Sequence, residues 1–423
     1  GVVSAGAGLL QFFGLADPLW PWIPETSRGR AFGSFHQPNL YASFLALCMV
    51  CALWLLHERC ISTGMALFLT AILQAGIAAS TSRIGVLASV AGAISLAAWV
   101  PWTRAKDRWL SVGQIGLLFI AVLALPWLGE LHGLSTRHMG VRIAGVGTDR
   151  RLQLCQDSWR LVMQRPWWGW GWGEYAWAHH AVPMAERFGA NQVVDNAHNL
   201  PLHLAAELGL PVALFFALGS TCWLARRWPI ADAPQRFALV LLGLLALHSL
   251  VEFPLWYAGF FFIAGLAAGL LSRNDRPRRF GAAGFTVAAC MLLGASAIAA
   301  RQYAAVAAVY ETPAARTDLR SRTIDRAASA WLFAGDLDFA RLVQMHALDA
   351  PAHERFMLAA RLVHYTPEPF VMETLIRSAN TLGSQELARW HLQRYCETFP
   401  RRYSRSEFAG RAQSSTEICG DIR

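Results

Sequence analysis

The chain has 423 residues, 55% of them hydrophobic and only 15% charged, with a formal charge of +9. A soluble chain of this size carries about 25% charged residues. Here the apolar residues gather in blocks of bilayer length, which excludes an ordinary soluble fold and implies an all-α polytopic membrane protein. Lys106 is the only lysine, so almost all the positive charge is guanidinium, a group that grips phosphate as a two-pronged fork. The eight cysteines show no CxxC or other metal-ligand spacing.

The first residues lie inside an apolar run ending near Phe13. That position implies further spans upstream. Charge-free stretches then run 38–56, 63–82, 84–102 and 110–129, each close to the roughly 20 residues that a helix needs to cross the hydrocarbon. After a long polar interval come 208–225, 237–251, 253–272 and 281–300, with Glu252-Phe253-Pro254 as the turn that divides the longest apolar run. The expected fold has eight to nine transmembrane helices.

Short connections carrying arginine mark the cytoplasmic side. These are 103–109, 226–236 and 273–280, and counting the spans through is consistent with all three lying inside. The count places Gly14–Gln37, Arg83, the interval 130–200, Glu252 and everything after Arg301 outside. Four parts follow: N-terminal spans over 1–129, a large periplasmic loop over 130–200, C-terminal spans over 201–300 and a periplasmic helical region over 301–423. In the loop, Leu152–Met163 reads as amphipathic, and the tryptophans between Pro166 and Gly173 suit either an interfacial belt or a platform for a sugar. In the last part, 321–334, 336–347, 352–363, 369–381 and 384–397 read as short amphipathic helices punctuated by Gly335, Pro351, Pro367 and Gly383. They are loosely similar to tetratricopeptide hairpins, without a clean period. Cys48, Cys51, Cys222 and Cys290 read as packing residues, while Cys396 and Cys419 could pair in an oxidising compartment.

The polar residues of interest all fall on the outer side, where an ionisable group at a helix end marks a functional cavity. His198, in Asn196-Ala197-His198-Asn199, is a candidate general base, because an imidazole titrates near pH ~6.5. A histidine at a helix start is more often a cap, and His203 points elsewhere from its place five residues on. Arg83, Arg150 and Arg151 would form a diphosphate clamp if they converge, or would reach headgroups singly if they do not. Gln37 and Asn39 flank Pro38 at the start of an outer-facing helix and can hold hydroxyls or phosphate oxygens, or simply cap it.

These motifs add up to a resemblance. The stretch from Arg30 to Ala42 and the stretch His248–Tyr257 resemble the signatures of bacterial protein O-oligosaccharyltransferases of the PglL type. Arg151 through Gly173, His198-Asn199 and Glu207-Leu208-Gly209 look like the large loop shared with O-antigen ligases and polymerases. The resemblance covers roughly 30–300, and family members carry several more N-terminal spans. It implies a metal-independent transferase without cofactor, moving an oligosaccharide from an undecaprenyl-diphosphate lipid to Ser/Thr hydroxyls of a periplasmic, pilin-like protein. His198 maps onto the loop histidine, Arg83 and Arg151 onto the diphosphate-binding arginines, and Gln37 and Tyr257 onto branch-specific polar residues. The alternatives Arg150 for Arg151 and His203 for His198 stay open, and Asn39 and Glu252 complete the donor and acceptor set. The expected location is the inner membrane with the site facing the periplasm, with the lipid bilayer as partner and no nucleic acid. The rivals are ligation or polymerisation of glycans with the same donor, and a lipid-linked sugar transporter.

Overall fold

A computed structural model of the chain describes residues 1–24, 30–131, 148–184, 191–230, 232–272, 282–313, 316–406 and 408. Among them there is no strand. The side chain of Arg150, the arginines of 273–280 and Cys419 lie outside the described set. The chain divides into two compact units. Unit 1 comprises Gly1–Leu152, His198–Pro201 and Phe215–Asn274, and unit 2 comprises Gln153–Ala197, Leu202–Leu214 and Asp275–Arg423.

Unit 1 is built from α1 (Val2–Phe12), α2 (Pro38–His57), α3 (Thr63–Ala79), α4 (Arg83–Trp99), α5 (Ala105–Leu131), α10 (Ala233–Ser249) and α11 (Ala258–Leu271). Helix α2 is central and packs on α3, α4 and α10, while α10 and α11 form a hairpin. Local chemistry sets the starts. Pro38 occupies the first turn of α2, and the hydroxyls of Ser62 and Ser82 cap α3 and α4 by accepting the Met65 and Gly85 N–H groups, each at 3.2 Å. A Cβ at Gly85 would lie 2.3 Å from that of Ala42, so glycine is what lets α4 touch α2 near their N-terminal ends. The loop before α2 is tied down by buried Gln11. Its Oε1 accepts from Phe32 N (3.1 Å) and Gly33 N (2.8 Å), and its Nε2 donates to Gly33 O (2.9 Å).

Pro38–His57, Ala105–Leu131 and Gly284–Glu311 are long and apolar enough to cross a membrane, and six shorter apolar helices of 10–17 residues accompany them. Against the expected eight to nine spans, the described residues hold three helices of full length. The shorter helices end where polar residues turn the chain, as at Ser80-Thr81-Ser82 and Leu250–Tyr257. Cys222 and Cys290, expected to pack, are exposed on apolar helices instead, whereas Cys48 and Cys51 lie against the core of unit 1.

Unit 2 contains most of α6 (Thr148–Gln164), α7 (Tyr175–Ala181) and much of α8 (Leu200–Leu208), and the first residues of α9 (Leu210–Ala225). After the long α12 (Ala282–Glu311) come α13 (Thr317–Arg326), α14 (Ala334–Ala347), α15 (Ala352–Tyr365), α16 (Pro369–Thr381), α17 (Gln385–Thr398) and α18 (Pro400–Tyr403). Successive helices from α14 to α17 pack pairwise, around Leu342, Leu362, Met372, Ile376 and Tyr395. The first helix of this series differs from expectation, running 317–326 rather than 321–334, and Gly335 begins α14 instead of punctuating the chain. The reason is steric: a Cβ on Gly335 would fall 2.6 Å from the ring of Tyr365. Cys396 is disulfide-bonded.

The Pro166–Gly173 segment is held to the end of α8 through main-chain bonds. Trp170 N donates to Ala206 O (2.9 Å), Gly171 N to Glu207 O (2.9 Å) and Leu210 N to Pro166 O (2.7 Å). Two glycines make this approach possible. Gly169 (φ +67°) and Gly209 (φ +86°) are left-handed, and a Cβ on either would sit within 2.3 Å of a backbone atom across the pair. Gly209→Ala should therefore lower the melting temperature of the protein by several degrees, a loss of about 2–3 kcal/mol from strain and clash. An unchanged melting curve would show that the pairing is dispensable. Trp167, Trp168 and Trp172 remain exposed on this segment.

Two buried histidines of unit 2 give it a pH dependence. Burial pushes His203 down to about 4, partly opposed by Asp195, and pushes His391 down to about 4, helped by nearby His364. Between pH ~6.5 and about 4 the unfolded chain therefore binds protons that the folded chain does not, so stability falls as the pH drops through that window. Each histidine contributes on the order of 2–3 kcal/mol to this slope. His391→Leu should flatten it in melting curves taken from pH 7 to 4, and an unaltered slope would count against the assignment.

Candidate functional site

Unit 1 brings five polar segments together. Gln37 and Asn39 flank the first residue of α2, Ser82 ends the turn between α3 and α4, and Glu252 begins the loop between α10 and α11. Arg151 and His198 complete the set. Non-glycine residues with left-handed backbone cluster here: His36 (φ 55°), Thr81 (φ 52°) and His198 (φ 45°). Such conformations cost free energy and persist where surrounding contacts impose them, commonly at functional sites.

Glu252 is the centre. Its side chain is 4% exposed, and its two oxygens take four donors. Nδ1–H of His198 donates to Oε2 at 2.7 Å, Asn39 Nδ2 to Oε1 at 2.8 Å, Gln37 Nε2 to Oε2 at 3.3 Å and Arg151 Nη2 to Oε1 at 3.3 Å. Burial alone would raise the Glu252 pKa. The bond and charge of His198, the Asn39 amide and the Arg151 charge outweigh it and hold the carboxyl below its ordinary value. An ionised carboxylate only accepts, so His198 carries a proton on Nδ1. Glu252 thus orients His198 and selects its tautomer.

Further contacts hold this arrangement in place. Ser82 Oγ donates to Asn39 Oδ1 (2.8 Å), which leaves the Asn39 amide N–H groups aimed at Glu252. Asn199 Nδ2 donates to Leu250 O (3.0 Å), tying the His198 segment to the loop that carries Glu252. Phe253 meets the His198 ring edge-on at 5.5 Å, and the Tyr257 ring lies 5.9 Å from Phe253. The Oε1 of Gln37 is a buried acceptor with no partner among the described residues.

Of the residues singled out from sequence, Gln37, Asn39, Arg151 and His198 therefore meet at Glu252, and Tyr257 stands one ring away. Arg83 follows Ser82 directly at the start of α4, half-buried, and no described residue pairs with its guanidinium. His203 belongs to unit 2, where its Nε2 lies 3.5 Å from Glu207 and its ring packs 5.2 Å from Tyr175. Ser82, Asn199 and Phe253 were not singled out. Ser82 reads as a simple helix cap, which it also is, and its bond to Asn39 spans 43 positions that sequence spacing does not relate. Glu252 did stand out, as the one charge interrupting 237–272, but nothing in the sequence says that it would be the acceptor for the others.

Comparison with known proteins bears on this geometry directly. Residues 65–217 match the family model described as O-antigen ligase, and residues 236–413 match that of the virulence factor membrane-bound polymerase, C-terminal. Over these two regions the chain is similar to proteins of the O-antigen ligase and polymerase group. His198 and Arg151 fall in the ligase match and Glu252 in the polymerase match, so the carboxylate hub joins the two matched regions. A general O-oligosaccharyltransferase of Acinetobacter baylyi (strain ATCC 33305 / BD413 / ADP1) is 24% identical over 268 residues, 59% of this chain and 45% of that protein. The chain spans less than half the length of that relative, whose kinship supports the resemblance to the PglL type. No solved structure matches the chain.

Proposed function

We propose that this chain transfers an oligosaccharide en bloc from a polyprenyl-diphosphate lipid to Ser/Thr hydroxyls of a periplasmic protein. The observation that carries the reading is the Glu252–His198 pair, a buried carboxylate that holds a histidine by its Nδ1 beside Arg151. The acceptor O–H gives its proton to His198 Nε2 as its oxygen attacks the anomeric carbon. The bond from that carbon to the diphosphate breaks, and the electron pair leaves on the phosphate oxygen. Arg151, 43% exposed, can turn one face to Glu252 and another to the departing diphosphate, and Arg83 supplies a guanidinium not committed to any described partner. Gln37 and Tyr257 would orient donor and acceptor hydroxyls.

The name of the Acinetobacter relative supports a glycan-transferring enzyme, and the disulfide at Cys396 supports an oxidising, periplasmic setting for the C-terminal helices. Within this proposal the full-length spans anchor the chain in the inner membrane, with the hub facing outward. A second reading is favoured by the family models themselves, whose descriptions are a ligase and a polymerase: the acceptor would then be a sugar hydroxyl. Purified enzyme given a defined lipid-linked donor and a pilin-like protein decides between them. Intact-mass spectrometry should show one glycan added to the protein on Ser or Thr. Glycan lengthening or lipid-core ligation with an unmodified protein would sink the protein-acceptor reading and leave the ligase one.

A further inference from the structure

Outside the hub, unit 2 holds a cavity of about 700 Å³ in which four guanidinium groups face one carboxylate. The carboxylate is already engaged. Glu373 Oε1 accepts from the Tyr395 hydroxyl (2.6 Å) and from Arg402 Nε (3.2 Å), and its Oε2 lies 3.5 Å from Arg377. Arg377 also stands 5.7 Å over the ring of Phe408. Arg401, in α18, and Arg405, in the turn beyond its end, have side chains that pair with no described residue.

The cavity is a specified feature of the fold. Asn191 adopts a left-handed backbone (φ 72°), donates its N–H to Thr398 O (2.7 Å) and accepts the Arg401 N–H on Oδ1 (2.8 Å). That contact joins positions 210 residues apart and fixes the backbone from which Arg401 and Arg405 project. Converging like charges oppose folding unless a counter-charge joins them. A single carboxylate partner needs one guanidinium fork, whereas several forks around one space suit an anion with several oxygens on adjacent centres.

We propose that this pocket binds a phosphoryl anion of the diphosphate class, either free or as a lipid headgroup. It is separate from the hub in unit 1, and the inference does not depend on the catalytic reading. The probe is inorganic pyrophosphate, titrated calorimetrically into the full chain in neutral detergent, with Arg83→Gln and Arg151→Gln in place so that hub arginines contribute nothing. Pyrophosphate should still bind, more weakly as salt is raised. Adding Arg401→Gln and Arg405→Gln should weaken it at least tenfold, with the melting temperature held within a few degrees. Arg401→Lys with Arg405→Lys should fall between, and Arg405→Gln alone serves if the combined variant does not fold. Equal affinity with and without the pocket arginines would overturn the proposal. So would binding that emerges only when Glu417 and Asp421 are replaced by their amides, which would assign the pocket to carboxylates of the chain itself. In nanodiscs, anionic phospholipid should compete with pyrophosphate if the natural ligand is a headgroup. Equal affinity in anionic and zwitterionic discs marks a free phosphate.

Discussion

His198→Ala should lower the rate of glycan transfer by roughly 10²–10⁴-fold, the range that a positioned general base supplies, while donor binding stays near the wild-type level. The control for this variant follows from the backbone. His198 is left-handed at φ 45°, a conformation that histidine and asparagine tolerate better than alanine, so part of any loss in His198→Ala could come from a shifted loop. His198→Gly removes the ring without that penalty. Both variants should be equally inactive if the imidazole does the chemistry. Recovery of substantial activity in His198→Gly would show that the loop, and not a base, had been lost. The reaction is read by gel shift and mass of a Ser/Thr acceptor, and the fold by the melting temperature.

How much of this was legible in the sequence depends on the kind of signal. Helix identity came through where composition alone decides, as in α2, whose start is set by Pro38 and whose apolar run is unbroken. Hairpin punctuation failed at Gly335, because a glycine can serve a distant ring as readily as a local turn, and Tyr365 was 30 positions away. The members of the hub were readable one by one as polar residues stranded at helix ends. Their convergence was not. Asn39 and Glu252 are separated by 213 positions and Arg151 and Glu252 by 101, and no periodicity relates them. The resemblance to a known family supplied candidates, and the sequence reading placed Glu252 with the donor- and acceptor-binding residues. In the fold Glu252 is turned inward, spent on holding the others. Physical reading of a carboxylate inside an apolar stretch could have found this, since a buried charge must be met by donors from the protein itself.

That inward role sets the second large effect. Glu252→Gln preserves shape but offers one acceptor oxygen where two served four donors, and its N–H₂ must point at a group that is itself a donor. The least costly answer is for His198 to move its proton to Nε2 and accept at Nδ1. That tautomer cannot take a proton from an acceptor hydroxyl. Transfer should fall by about 10²–10⁴-fold, mostly in kcat, although Glu252 touches neither substrate. Glu252→Ala should be as inactive and also less stable, by roughly 1–3 kcal/mol, because Asn39 and Gln37 lose a buried partner. The pH dependence separates positioning from mere support. Because the folded pKa is depressed, the contribution of Glu252 is fully present above the ordinary glutamate value and is lost only as the pH falls below it. The acid limb of the wild-type rate profile should therefore belong to a group other than Glu252. In Glu252→Gln that limb should shift or vanish while the melting curve changes little. A variant with the wild-type pH profile and only a lower melting temperature would demote Glu252 to a structural residue and remove the reason for treating His198 as an oriented base.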